Sequence, residues 1–342
     1  MLNNIDCTVI IPLKDNPSRT VFTLENSIFP EIQYIFADGS KNDSNQMLFS
    51  RLNYSNVSYF RFPFDKTQRL YSKKMLEVCA SIKTKYCFTL DQGDLLSLEG
   101  VIKSVRILEK NPKISAACGR IYTGHRIGIF LWDLQQVNQN DHLSDIESHI
   151  ALSSLGIKYG VLWYSVMLTE YFTEIRRDIF NYNLNHPYME IYPTIFLLSK
   201  GKFISHGSSQ ILRITYSPSQ TTEQDASFSD PNELANFEKD AINFGKVCNE
   251  LLGITPSLAI DAVLPLLRVV KRQRERQWLG PSFISKLMPS NATITKLPRL
   301  RDLESRANYY FKLVFKDNAR DAWFSGLRIS RLKNWSSEGS HD

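Results

Sequence analysis

Asp91 and Asp94, separated only by Gln92 and Gly93, follow the short apolar run "YCFTL" at residues 86–90. Carboxylates held this close repel, so one pKa rises or a cation must sit between them. A hard divalent ion, Mg²⁺ or Mn²⁺, held by one or two carboxylates and by substrate phosphates, relieves that repulsion. The plainer role for the same pair is turn and helix N-cap before "LLSLEGVIK". Two other strand-like runs end in polar punctuation with an aspartate, Asp15 in "LKD" and Asp38 in "ADGS".

The elements that must position these groups follow from hydrophobic patterning. "TVIIPL" (8–13) is a continuous β-branched run stopped at Pro12, which lacks the N–H that a central ladder needs, and it reads as a buried strand. Asn16-Pro17 starts a helix with apolar residues at Val21, Leu24 and Ile28. "YIFA" (34–37) ends in the turn formers "DGSKNDS". "VSYFRF" (57–62) precedes a helix over 66–82, and "YCFTL" precedes an amphipathic helix stopped at Asn111-Pro112. This alternation predicts an α/β fold, a Rossmann-type, mainly parallel sheet flanked by helices. Ligands of such sheets bind at the carboxyl ends of the strands. Asp15, Asp38 and the Asp91/Asp94 pair all fall there, so one crevice can collect them.

From residue 142 the pattern turns helical, through 142–157 and 159–175. Residues 189–201 read as a helix closed by Gly201, then "KFISH" and "SQILRIT" as two closing strands. The polar stretch 217–232 reads as a lid loop or linker. The expected organisation is a domain over 1–216, a linker at 217–232 and a mostly helical, basic C-terminal region over 233–342.

Composition narrows the partners. With 342 residues, 43% of them hydrophobic, the chain can bury a sizeable core. No apolar run reaches the roughly 18 residues of a membrane span. The N-terminus has no basic lead-in or small-residue cleavage site, which predicts a cytoplasmic protein. Five scattered cysteines without a CxxC read as small buried hydrophobes rather than a disulfide or zinc framework. Residues 232–342 carry the whole surplus of +6. Within them, "AVLPLLRVVKRQRERQW" (262–278) sets Leu264, Leu267 and Val270 against Arg268, Lys271, Arg272, Arg274 and Arg276. A surface helix packed on its own domain accounts for this pattern. Peripheral contact with an anionic membrane at its inner face is the functional alternative, and nucleic acid is not expected.

Taken together, "TVIIPLKDN", "ADGSKND" and "KTKYCFTLDQGDLL" occur in the order and approximate spacing of family 2 type glycosyltransferases with the GT-A fold. The chain resembles in particular the bacterial branch whose second strand ends in ADxS and which has a stretch like "ISAACGRIY" (114–122). The resemblance covers residues 6–215. It implies a nucleotide-sugar donor, a UDP-sugar foremost, and transfer with inversion to a hydroxyl of a glycan, lipid-linked saccharide or protein.

By the same resemblance Pro12 and Asp15 lie beside the nucleoside, Asp38 contacts the base or ribose, and Lys74 and Arg213 approach the diphosphate. Asp91 and Asp94 take the Mg²⁺ or Mn²⁺, and Glu190 is the base that accepts the acceptor's proton, with Asp178 in reserve. Structural roles stand beside these: an Asx turn for Asp38, a solvated helix face for Lys73 and Lys74, a helix cap for Glu190, a surface strand for Arg213. His186 and His206 read as structural. The family's aspartates are adjacent or two apart, whereas Gln92 and Gly93 intervene here. That departure motivates a rival, a non-catalytic nucleotide- or sugar-binding protein on the same fold. Nucleotidyl transfer is disfavoured, because "PLKDNP" has no glycine to cradle a phosphate.

Overall fold

A computed structural model describes residues 4–52, 54–127, 130–136, 142–148, 150, 162–184, 188–216 and 231–263. The first half runs β1 (Cys7–Leu13), α1 (Pro17–Asn26), β2 (Gln33–Asp38), α2 (Ser44–Phe49), β3 (Val57–Arg61), α3 (Gln68–Cys79), β4 (Tyr86–Thr89), β5 (Leu95–Leu96), α4 (Leu98–Lys110), β6 (Ile114–Ile127) and β7 (Phe130–Gln136). A 3₁₀ turn at Leu162–Tyr164 then leads to β8 (Val166–Leu168), α5 (Thr169–Asn181), α6 (Tyr188–Lys200), β9 (Lys202–Tyr216) and α7 (Pro231–Leu252). Residues 256–263 form a further helix, α8.

β1 is the central strand that its apolar run predicts. Val9, Ile10 and Ile11 are fully buried, and the strand lies parallel to both β2 and β4. On β1 the pairing with β4 spans Cys7–Ile10, so Pro12 sits beyond that ladder, while the ladder to β2 continues through Pro12, opposite Ala37, to Leu13. α1 starts where Asn16-Pro17 says it should: the Asn16 side chain accepts from Arg19 N (3.1 Å), and Pro17 fills a first-turn position that needs no donor.

The described strands form one nine-stranded sheet in the order β3-β2-β1-β4-β8-β6-β9-β5, with β7 paired to β6. β3, β2, β1 and β4 are parallel, joined by helical crossovers. β8 is antiparallel to both its neighbours. β6 and β9 run parallel from Ile114↔Lys202 to Arg126↔Tyr216. β5 pairs antiparallel with β9 through Leu95↔Leu212, which brings Arg213 level with Asp94.

Two expectations are corrected here. Residues 159–175 are not one helix: Val166–Leu168 is a strand inside the sheet, and the helix starts at Thr169. Val166 and Met167 are buried between β4 and β6, and an apolar run buried on all sides carries no periodicity to distinguish the two states. "KFISH" and "SQILRIT" form one continuous strand, with register shifts opposite Cys118–Ile121.

The core continues past the expected boundary at 216. Phe244 of α7 packs on Tyr188 and Tyr192 of α6 with ring centroids 5.1 and 6.4 Å apart, and the Tyr182 hydroxyl donates to Glu250 (2.7 Å). Ala259, Ala262 and Val263 of α8 are buried as well. From residue 264 onward the basic stretch 262–278 lies outside the described residues, as do His186 and residues 217–230 of the expected lid 217–232, whose last two residues open α7. No helix among the described residues is long and apolar enough to cross a membrane. All five cysteines are free and buried.

α4 is fastened to β9 by buried polar groups. The Ser104 hydroxyl shares a hydrogen with His206 Nε2 (2.9 Å) and contacts Gln210 Oε1 (2.7 Å). Burial pushes the His206 pKa down to about 4, and Lys103 adds to the effect. The folded chain therefore holds this ring neutral, while the unfolded chain protonates it below about pH 6.5. The stability it contributes is present above pH 6.5 and lost as the pH falls towards 4. Denaturant titrations should show a loss of about 2–3 kcal/mol between pH 7 and pH 4.5 from this residue. In His206→Asn that part of the pH dependence should disappear.

Candidate functional site

The loop after β4 explains the residues that interrupt the acidic pair. Gln92 turns back onto the loop after β1: its Oε1 accepts from Lys14 N (3.2 Å), and its Nε2 donates to Asn16 O (2.6 Å), Thr20 Oγ1 (2.8 Å) and Lys14 O (3.3 Å). Gly93 has φ +93°, a conformation that strains any residue with a Cβ, and its N–H donates to Thr23 Oγ1 (2.9 Å). Asp94 N then donates to Asp91 O (3.1 Å), closing the turn. Gln92 and Gly93 thus anchor the turn that sets the two carboxylates.

The anchoring extends to β2. Thr20 Oγ1 donates to Asn45 Oδ1 (2.9 Å), and Asn45 Nδ2 reaches Ser40 Oγ (3.0 Å) and Asp38 Oδ1 (3.5 Å). Asp38 is fully buried. Its Oδ1 accepts from Ser40 N (2.9 Å) and Ser40 Oγ (2.5 Å), and its Oδ2 from the Tyr59 hydroxyl (2.5 Å), with Arg61 Nη1 3.4 Å away. The Ser40 N bond is the Asx turn that the sequence allows. Asp15 Oδ1 accepts from Lys41 N (2.7 Å) and Asn42 N (3.4 Å), joining the loops after β1 and β2.

Arg213 faces the acidic pair from β9. Its Nη2 lies 3.7 Å from Asp91 Oδ2, and its Nε 3.9 Å from Asp94 Oδ2. Asp94 is almost fully buried, while the Asp91 side chain is 43% exposed. The guanidinium covers the Tyr164 ring at 5.1 Å, and the Tyr164 hydroxyl donates a short hydrogen bond to Asp91 Oδ2. Burial, then the Asp91 charge, pushes the Tyr164 pKa well up, so this hydroxyl stays a donor. Tyr164 and, against the effect of burial, Asp94, Asp91 and Glu190 push the Arg213 pKa up. The preceding Trp163 lies over a second, buried cation, Arg176, at 4.2 Å; Arg176 is also stacked on Phe172 (4.6 Å) and donates to Thr89 Oγ1 (3.2 Å).

A further buried ion pair flanks this group. Lys74 Nζ donates to Asp65 Oδ2 (2.6 Å) and to Leu13 O (3.4 Å). Burial lowers the Lys74 pKa and raises that of Asp65, each opposed by the other's charge. Gly39 makes room for the pair, since a Cβ there would lie 2.5 Å from the Asp65 carboxyl. Tyr71 links the two clusters: Lys74 Nζ sits 5.1 Å from its ring, and Arg176, Asp91, Asp65 and Glu190 all act on its hydroxyl. Lys73 is exposed and pairs with Glu77 (3.6 Å).

The structure thus gathers Asp91, Asp94 and Arg213, and the charge of Glu190, in the first turn of α6, acts on Arg213 as well. Pro12 lies on β1 opposite Ala37, and Asp15 and Asp38 hold the adjoining loops. The reserve base Asp178 accepts from the Tyr192 hydroxyl (2.6 Å) with Glu174, Arg177 and Lys200 as its charged neighbours, none of which belongs to this group. Sequence reasoning missed Tyr164, Arg176, Tyr71 and Asp65. The one available signal was helical: Tyr71 lies three residues before Lys74 on α3 and so shares its face.

Among the described residues no group of three or more His, Cys, Asp or Glu is placed to hold a metal ion. Two carboxylates at one strand end suit an ion whose remaining ligands are phosphates and water.

The fold is GT-A-like: a mainly parallel sheet flanked by helices, with charged residues at its strand ends. Among solved structures, the chain is similar to S. aureus TarS 1-349, with a TM-score of 0.51, 9% identity, and coverage of 98% of this chain and 92% of that one. The same protein in complex with UDP-GlcNAc gives a TM-score of 0.52 at 10% identity and the same coverage. At these identities the likeness shows the fold. No protein-family model matches the chain, and no curated protein matches it.

Gln92→Leu keeps the bulk and removes every bond to the β1 loop. It should destabilise the fold by about 1–3 kcal/mol. Hydrogen exchange at the Lys14 and Gly93 amides should quicken more than at the amides of β1 itself.

Proposed function

We propose that this chain transfers a glycosyl group from a nucleotide-sugar donor, a UDP-sugar, to a hydroxyl of a saccharide or lipid-linked acceptor, with inversion. The observation that carries this reading is the meeting of Asp91, Asp94 and Arg213 at the strand ends of a GT-A-like sheet, with the charge of Glu190 acting on the same guanidinium. The UDP-GlcNAc in the similar TarS structure supports the donor class.

In this reading Asp91 and Asp94 hold Mg²⁺ or Mn²⁺, which when bound neutralises charge on the diphosphate. Arg213 supplies a fixed positive charge for the same leaving group. The acceptor oxygen attacks the anomeric carbon, the bond from that carbon to the phosphate oxygen breaks with its electron pair staying on the diphosphate, and the acceptor proton passes to the Glu190 carboxylate. Tyr188, Ile191 and Tyr192, buried beside Glu190, give the base a partly apolar surround. Pro12, Asp15, Asp38 and Lys74 shape the nucleoside and diphosphate end, by framing loops as much as by contact. The stretch 262–278 would hold the enzyme near a lipid-linked acceptor at the inner face of the membrane.

Gln92 and Gly93 hold the turn that sets the two carboxylates, which supports the enzymatic reading over a binding-only protein.

The test is a panel of nucleotide sugars with Mn²⁺, scored for thermal stabilisation and for sugar transfer. Glu190→Gln should lower transfer roughly 10²- to 10⁴-fold with donor binding near wild type. Asp91→Asn should weaken Mn²⁺-dependent donor binding. Donor binding without transfer or donor hydrolysis by the wild type would overturn the enzymatic reading in favour of a binding protein.

A further inference from the structure

Tyr164 is held from every side. Its backbone carbonyl accepts from Gln210 Nε2 (3.1 Å), and Gln210, itself fully buried, is fixed in turn by Ser104 Oγ (2.7 Å) and Gly119 N (2.8 Å). Gly119 has no space for a Cβ, which would lie 2.4 Å from Ser208 O. The ring is covered by Arg213, and the preceding Trp163 is stacked on Arg176. The residue is 3% exposed, so water cannot substitute for the bond its hydroxyl makes to Asp91 Oδ2. A buried hydroxyl that lost this acceptor would be left without a partner at a substantial cost. Arg213 covers the same oxygen at 3.7 Å. Among the described residues no hydrogen bond is made to Asp91 Oδ1, and the side chain is 43% exposed.

We propose that Tyr164 is a positioning residue: with Arg213 it engages Oδ2 of Asp91 and fixes the carboxylate so that Oδ1 is the oxygen left to ligate Mg²⁺ or Mn²⁺. This rests on the metal-assisted glycosyl-transfer reading above and assigns the orientation of that ligand to a residue far from it in sequence. Tyr164 touches neither donor nor acceptor in this role. It acts through Asp91, as groups that hydrogen-bond to metal-ligating side chains do.

The experiment titrates Mn²⁺ into full-length wild type and Tyr164→Phe in the presence of UDP, following free Mn²⁺ by electron paramagnetic resonance. Near-ultraviolet circular dichroism and UDP binding without metal are measured alongside. Phenylalanine keeps the ring under Arg213 and removes only the hydroxyl. The expected result is a 10- to 100-fold weaker Mn²⁺ affinity with the dichroism and the metal-free UDP affinity unchanged. Equal Mn²⁺ affinity in the two proteins overturns the proposal and leaves the glycosyl-transfer reading standing. A loss of Mn²⁺ affinity together with the dichroism signal and metal-free UDP binding assigns Tyr164 to packing and overturns it too. No saturable Mn²⁺ binding by the wild type overturns the proposal and the metal-assisted reading together.

Discussion

One hydrogen-bonded chain ties the carboxyl ends of β4, β1 and β2: Gln92 to Thr20, Thr20 to Asn45, and Asn45 to Ser40 and Asp38. Loops at strand ends have few backbone partners of their own, and a crevice must stay open to ligand, so side chains supply the fastening that a ladder would otherwise give. An amide suits the Gln92 position because it donates and accepts at once, meeting both the N–H and the C=O of Lys14. The carboxylates of Asp91 and Asp94 are aimed by this fastening, and the crevice inherits its shape from it.

Charge is arranged on top of that frame. The acidic pair has Arg213, and Asp65 has Lys74, each cation reaching from a different element. Among the described residues Arg176 makes no ion pair with a carboxylate and rests instead on the faces of Trp163 and Phe172. Removing either member of the Asp65–Lys74 pair would strand a charge at 2–3% exposure, at a cost of about 3–5 kcal/mol. This arrangement fits Asp65 and Lys74 as buried supports of the β2 loop, pressed against Gly39, at the base of the region where a diphosphate is proposed to lie.

Much of the fold was legible because local chemistry declared it. The β-branched run of β1, the Asn16-Pro17 cap and the Asn111-Pro112 stop after α4 are decided by neighbours in sequence. β8 was not legible, since three buried residues in an apolar stretch fit strand and helix equally. The acidic pair was visible as charge at a strand end and Arg213 as a charge within a strand pattern, but their meeting was not. It depends on Leu95↔Leu212, a pairing between segments far apart in the chain. Tyr164 was hidden for a related reason: a tyrosine in an apolar run reads as core, and only the tertiary fold shows its hydroxyl meeting a carboxylate. Asp38 was visible, yet whether such a residue serves as turn or ligand depends on the partners that fill its oxygens, and those come from β3 and α2.

The place of β9 has a consequence for biosynthesis. It lies between β6 and β5, two strands that leave the ribosome before it, and β5 joins the described sheet through β9 alone. Pairings of such long sequence separation form late and slowly. Arg213 arrives with that strand, so a nascent chain shorter than β9 presents the acid pair without its cation. Insertion of one strand thus completes the sheet and offsets one of the two carboxylate charges in the same event, and a chain stalled before it is open at an edge.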